Sequence, residues 1–143
     1  MKARYALRAL CALAQAYPRR RQARLIAAQA RVPGKFLEAI LVELRRAGFV
    51  SSTRGIVGGH ALARPAAEMT VGDVIRAIDG PLAPIRCASI SAYEPCADCP
   101  DPERAALRRL MVDVRDAISG VLDRRTLADL AAASMPEEGR QEE

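Results

Sequence analysis

The chain has 143 residues, enough for one domain with a proper core; half are hydrophobic but only 3% are aromatic, and Trp is absent. Such a core must come from Ala, Leu, Ile and Val, which points to helices packed through small side chains. A net charge of +5 and a pI near 9.4 suit a polyanionic partner, nucleic acid or an acidic membrane surface alike. No apolar run approaches the length of a membrane span, and no membrane partner is expected. Met1-Lys2-Ala3-Arg4-Tyr5 lacks the apolar stretch and cleavage site of a signal peptide, and the expected location is the cytoplasm. In that reducing compartment the four cysteines suit metal ligation or redox chemistry better than structural disulfides.

The first predicted helix spans 3–17, with Leu7, Leu10, Leu13 and Ala14 three or four residues apart. Cys11 falls on its apolar stripe and reads as core. Pro18 stops it, and Arg19-Arg20-Arg21 follows as an exposed link. A short helix over 22–30 buries Leu25 and Ile26 before Val32-Pro33-Gly34 breaks the chain. A third helix over 35–47 sets Phe36, Leu37, Ile40, Leu41 and Leu44 at core spacing, and Gly48 ends it. Two helices joined by a tight turn form a helix-turn-helix pattern, weak evidence when taken alone.

The next residues sharpen that pattern. Phe49-Val50-Ser51-Ser52 reads as a strand and Gly59-His60-Ala61-Leu62-Ala63 as its return, with Thr53-Arg54-Gly55-Ile56-Val57-Gly58 between them. A hairpin placed directly after the second helix makes a wing. At its tip Gly55 lets backbone approach a phosphate closely, while the Arg54 guanidinium suits a minor groove. An ordinary glycine-rich turn would look similar, but not in this position. His60, the single histidine, reads as a phosphate contact or a surface residue.

Thr70 caps a short helix reaching Asp79, with Val71, Val74, Ile75 and Ile78 inward. An irregular loop rich in Cys, Pro, Asp and Ser leads to a long helix over 103–122. Its stripe of Leu107, Leu110, Met111, Val114, Ile118, Val121 and Leu122 has no evident partner within the chain. A homodimer covers it and brings two wings to a palindromic double-stranded DNA operator; folding back on the monomer is the other solution. A last short helix over 127–132 follows Thr126. The organisation expected is a winged helix-turn-helix domain (1–80), a cysteine-bearing sensor loop (81–102), a dimerisation helix with the short helix (103–135), and a charged, disordered tail (136–143). The fold class is mainly α with a small β-hairpin wing.

Cys87, Cys96 and Cys99 share the irregular loop in Cys-x8-Cys-x2-Cys spacing. Thiolates this close converge readily on a soft metal. Both an iron–sulfur cluster, [2Fe–2S] or [4Fe–4S], and a zinc ion fit three thiolates plus a fourth ligand. Unliganded reduced thiols, or a thiol redox switch, are the alternatives.

Several segments together resemble the Rrf2 family of winged helix-turn-helix transcriptional regulators, the IscR, NsrR and CymR type. They are Lys2-Ala3-Arg4-Tyr5-Ala6-Leu7-Arg8-Ala9-Leu10, Phe36-Leu37-Glu38, Leu44-Arg45-Arg46-Ala47-Gly48-Phe49-Val50-Ser51-Ser52, Arg54-Gly55-Ile56-Val57-Gly58-Gly59, Thr70-Val71-Gly72-Asp73-Val74-Ile75 and Thr126-Leu127-Ala128-Asp129-Leu130. The resemblance implies a homodimer whose third helix enters the major groove. It makes Glu38 the acidic base-reading residue and Arg54 the minor-groove residue, in keeping with a carboxylate accepting from a cytosine amino group. Lys35, Arg45 and Arg46 suit phosphate better than bases.

The chain also departs from the cluster-binding members it resembles. Ala105 and Ala106 stand where those carry a further cysteine, Arg108 replaces a ligating histidine, and Arg4 replaces an acidic ligand on the first helix. Asp98, Asp101, Glu103 or an exogenous molecule remain as the fourth ligand, an arrangement suited to a labile sensor of oxygen, nitric oxide or iron supply. An enzyme is not expected, because no phosphate-binding glycine loop or Ser/His/Asp set is present.

Overall fold

The computed structural model describes residues 2–82 and 102–134. In chain order these form α1 (Lys2–Ala16), α2 (Ala23–Ala30), α3 (Gly34–Arg46), β1 (Val50–Thr53), β2 (Gly59–Leu62), α4 (Val71–Asp79), α5 (Pro102–Leu122) and α6 (Leu127–Ala133), with a short 3-10 turn at Ala66–Glu68. The helix-rich body with one small hairpin is the architecture the sequence implies. Cys87, Cys96 and Cys99, most of the loop and the tail beyond Ser134 lie outside the described residues.

The hub is α1, on which α2, α3, α4, α6 and β2 all pack. Ala3, Ala6, Ala9, Ala12 and Ala16 are buried, and their methyl groups let neighbouring elements come close from several sides. Leu10, Leu13, Ile26, Leu37, Leu44, Met69, Val74 and Leu127 fill the spaces between. Truncating one of these leucines to Ala costs roughly 2–5 kcal/mol through lost burial and the cavity left behind. Cys11 is buried as its spacing predicts, and burial pushes its thiol pKa up.

Two apolar residues depart from the inward placement read from their spacing. Leu25 is 40% exposed, leaving Ile26 to anchor α2. Phe36 is 48% exposed and lies at the edge of the α3 stripe that Leu37, Ile40, Leu41 and Leu44 bury. Its ring stacks at 6.3 Å on Tyr5, and the Lys35 ammonium stands 5.1 Å from its centre.

The turn between α2 and α3 is set by Arg31, which ends α2 in the left-handed region at φ 55° and ψ 49°. Buried Val32 and then Pro33 follow, and the Pro33 carbonyl accepts from the Phe36 and Leu37 amides to open α3. Gly48, at φ +85°, closes α3 and hands the chain to β1, as its position after the helix implies. The hairpin is antiparallel in the register Val50↔Leu62, Ser51↔Ala61, Ser52↔His60 and Thr53↔Gly59.

The C-terminal elements are tied back to the body. The Thr70 hydroxyl accepts from the Asp73 amide at 3.0 Å to cap α4. Thr126 and Asp129 form a reciprocal capping box at α6, an arrangement worth about 1 kcal/mol. The Val71 amide donates to the Arg125 carbonyl at 2.9 Å, and the Leu127 amide to that of Met69 at 2.8 Å. Arg76 of α4 forks onto Asp123 with bonds of 2.8 and 2.7 Å. Buried Gly72 leaves the room this carboxylate occupies, since a Cβ there would collide with it. From 105 to 122 no residue of α5 is buried.

Candidate nucleic-acid interface

The outward face of α3 exposes Lys35, Glu38, Val42, Arg45 and Arg46. Positions 38, 42 and 45 fall on one side of a helix, and that side looks onto the hairpin. Between them lies a groove of about 540 Å3, lined by Glu38, Val42 and Arg45 from α3 and by Ser52, Arg54 and His60 from the hairpin. Three residues singled out in the sequence, Glu38, Arg45 and Arg54, therefore meet in one place. Neither hydrogen bond nor ion pair engages these three charged groups among the described residues. A ligand thus need not displace an internal partner from any of them.

Lys35 and Arg46 flank this groove without lining it. Lys35 leans over the Phe36 ring, while Arg46 lies in the last turn of α3 beside Arg45. Gly55 stands at the hairpin tip with φ +107°, a conformation that favours glycine. The Gly58 amide donates to the Gly55 carbonyl at 3.0 Å to close the tip, and a Cβ at Gly58 would collide with the Thr53 and Arg54 backbone.

His60 is half-buried at the base of the hairpin, its Nδ1 2.7 Å from the Ser52 hydroxyl. Burial holds its pKa below the ordinary 6.5, helped by the charges of Arg20 and Arg45. Neutral at pH 7, it is a hydrogen-bonding member of the groove wall.

Two features escaped sequence reasoning. Arg20 and Arg21 are not merely an exposed link. The Arg21 backbone pairs with His60, and the Arg20 guanidinium reaches the Ser51 and Gly59 carbonyls at 3.2 and 3.4 Å. At the tip, Ile56 and Val57 are 98% and 93% exposed, an apolar pair held out into solvent. The clue for the second was in the sequence, since two aliphatic residues between glycines cannot both turn inward from a four-residue tip.

A helix pair in which the second helix and a following hairpin share one charged groove defines a winged helix-turn-helix protein, a class that binds DNA. The chain matches the family model "Rrf2: Iron-dependent Transcriptional regulator" over residues 1–133. It belongs to the Rrf2 family and is a transcriptional regulator rather than an enzyme. It is 40% identical over 139 residues to a putative HTH-type transcriptional regulator, rrf2-like, of Rhodobacter capsulatus, covering 94% of this chain and 93% of that one. Among solved structures it is similar to CymR, the global cysteine regulator of B. subtilis, with TM-score 0.76, 33% identity and coverage of 94% and 96% of the two chains. It is also similar to T. potens IscR, with TM-score 0.74, 28% identity and coverage of 99% and 91%. No helix among the described residues is long and apolar enough to cross a membrane.

Proposed function

We propose that this regulator binds a palindromic operator as a homodimer and senses redox, nitric oxide or iron status through an iron–sulfur cluster. The observation that carries the DNA reading is the shared groove of Glu38, Arg45 and Arg54. In this reading Glu38 accepts from a cytosine amino group in the major groove, and Arg54 enters the neighbouring minor groove. Arg45, Arg46 and Lys35 neutralise phosphates, and Gly55 brings the hairpin backbone against the sugar–phosphate chain. Ile56 and Val57 supply an apolar tip that packs on the floor of the minor groove.

The dimer reading rests on α5. Leu107, Leu110, Ile118 and Val121 are 50%, 54%, 36% and 63% exposed along it, and a second copy of the same helix is the natural cover. The division into a DNA-binding part (1–80), a sensor loop (81–102) and a dimerisation part (103–135) follows from the same assignment.

For the sensor, no group of three or more His, Cys, Asp or Glu side chains suited to a metal exists among the described residues. Cys11 is buried in the α1 core and is set apart from ligation. The donor set left is Cys87, Cys96 and Cys99, three soft thiolates that fit iron–sulfur or zinc chemistry. Such a cluster would supply a redox- and ligand-sensitive centre, and these cysteines would hold it. The family description as iron-dependent supports iron. The likeness to a cysteine regulator supports a second reading, in which the same thiols bind zinc or act as a redox switch.

Two measurements test this. Protein purified without oxygen should contain iron with matching sulfide and show a visible charge-transfer band; zinc alone, or no metal, replaces the cluster reading with the second one. Operator affinity should fall steeply with salt, and Arg54→Ala should lower that slope by about one ion. A slope unchanged by Arg54→Ala removes Arg54 from the interface.

A further inference from the structure

A second cavity, of about 870 Å3, shares no lining residue with the groove. Arg4, Arg8, Cys11 and Gln15 line it from α1, and positions 4, 8, 11 and 15 form one face of that helix. Arg31 closes it from the end of α2, and Leu130 and Ser134 from α6. Three exposed arginines thus border one open space that Leu7, Cys11, Ala12 and Leu130 also line. Among the described residues neither hydrogen bond nor ion pair engages Arg4, Arg8 or Arg31. Cations gathered without a carboxylate repel one another, and a small anion relieves that repulsion while taking several charge-assisted hydrogen bonds.

Arg31 gives the cavity a route to DNA. It is the positive-φ residue that ends α2, three positions before Gly34 opens α3. An anion shared between Arg8 and Arg31 would fasten the helix-turn-helix turn to α1, and so bear on how α3 is presented.

We propose that this cavity is an effector site for a small organic polyanion, a carboxylate or phosphate compound, whose occupancy adjusts the α2–α3 turn. The charged end of the ligand meets Arg4, Arg8 and Arg31, and its carbon skeleton lies on Leu7, Cys11 and Leu130. This adds a ligand input to the DNA-binding reading, and its test uses no DNA, so the two can fail separately.

The test is an NMR titration of the full chain with citrate and with inorganic phosphate, against sodium chloride at matched ionic strength. Saturable shifts are expected at the Arg4, Arg8 and Arg31 side-chain N–H groups and at the Val32, Gly34 and Lys35 amides. The Arg8→Gln/Arg31→Gln variant should weaken binding by more than about tenfold. Arg8→Lys/Arg31→Lys, which keeps the charge, should retain part of it. Shifts that chloride reproduces, or binding that the Gln variant leaves intact, overturn the site. Side-chain shifts without any at Val32, Gly34 and Lys35 overturn its link to the turn. Citrate binding that appears only after Glu137, Glu138, Glu142 and Glu143 are changed to Gln makes the acidic tail the occupant, and overturns the small-molecule proposal.

Discussion

Arg21 and His60 exchange both backbone hydrogen bonds, each 2.8 Å long, so that the link between the first two helices becomes a third, one-residue strand beside the hairpin. The wing is therefore pinned to the body at its base, and only its tip stands free. Gly59 makes this possible, because it holds φ +136° and a Cβ there would lie 2.6 Å from the Arg21 carbonyl oxygen. Gly59→Ala should cost roughly 1–3 kcal/mol, from the unfavourable backbone angle and the broken pair. Chemical denaturation measures that loss, and amide exchange should locate it at Arg21 and His60. A variant as stable as the parent would show that the pairing does not hold the wing.

The histidine in that pair carries a pH dependence whose sign is fixed by its surroundings. Burial first, then the charges of Arg20 and Arg45, hold the His60 pKa below 6.5. The unfolded chain then takes up the proton at a higher pH than the folded one. Stability contributed by neutral His60 is present above pH 6.5 and is lost as pH falls through the folded pKa. His60→Gln should flatten this part of the stability profile. Phosphates arriving beside Arg20 and Arg45 offset their repulsion, so an NMR titration should find the His60 pKa higher in a DNA complex than in the free protein.

The groove assigns different consequences to its two outer charges. If Glu38 reads a base as proposed, its carboxylate, in no ion pair among the described residues, contributes choice of base and no phosphate attraction. Glu38→Ala should relax discrimination at one operator position by about 1–3 kcal/mol while leaving the salt slope alone. Arg54→Ala should do the reverse. Binding measured across a set of singly substituted duplexes at two salt concentrations separates the outcomes. If Glu38→Ala alters every duplex equally, the carboxylate does not read a base.

Much of this arrangement was legible in the residues, because period and punctuation both act locally. Leu37, Ile40, Leu41 and Leu44 declare the buried face of α3 by spacing, and Gly48 declares its end. Phe36 and Leu25 were misread for a physical reason. A stripe at helical spacing has an edge, and whether the edge residue is covered depends on a neighbour from elsewhere; at Phe36 that neighbour is Tyr5, whose stacked ring leaves about half of it exposed. The Arg21–His60 pair joins residues 39 positions apart and uses only backbone atoms, so no side-chain pattern announces it. The cavity of Arg4, Arg8 and Arg31 is similar, since helical spacing sets the first two on one face and only packing brings the third. The ligating role proposed for Cys87, Cys96 and Cys99 rests on spacing alone, since they lie outside the described residues.

Helix α5 makes the most demanding prediction, because Leu107, Leu110, Ile118 and Val121 face outward along a helix that is fastened to the body near its C-terminal end. Arg76 forks onto Asp123 just beyond its last turn, and the body takes hold again at Thr126 and Leu127. Leu107, Leu110, Ile118 and Val121 contribute little to the protomer's own core, so changing them should leave the monomer folded. Leu110→Asp combined with Val121→Asp puts charges into a face that a second copy must desolvate, at a cost of several kcal/mol. Sedimentation should find the parent chain at twice its 15.4 kDa and the variant near that mass, with helix content by circular dichroism almost unchanged. DNA affinity should drop when the dimer is lost, because a lone wing then meets half of the operator. A parent that sediments as a monomer at concentrations well above those used for DNA binding would overturn the dimer, and the stripe on α5 would need another cover.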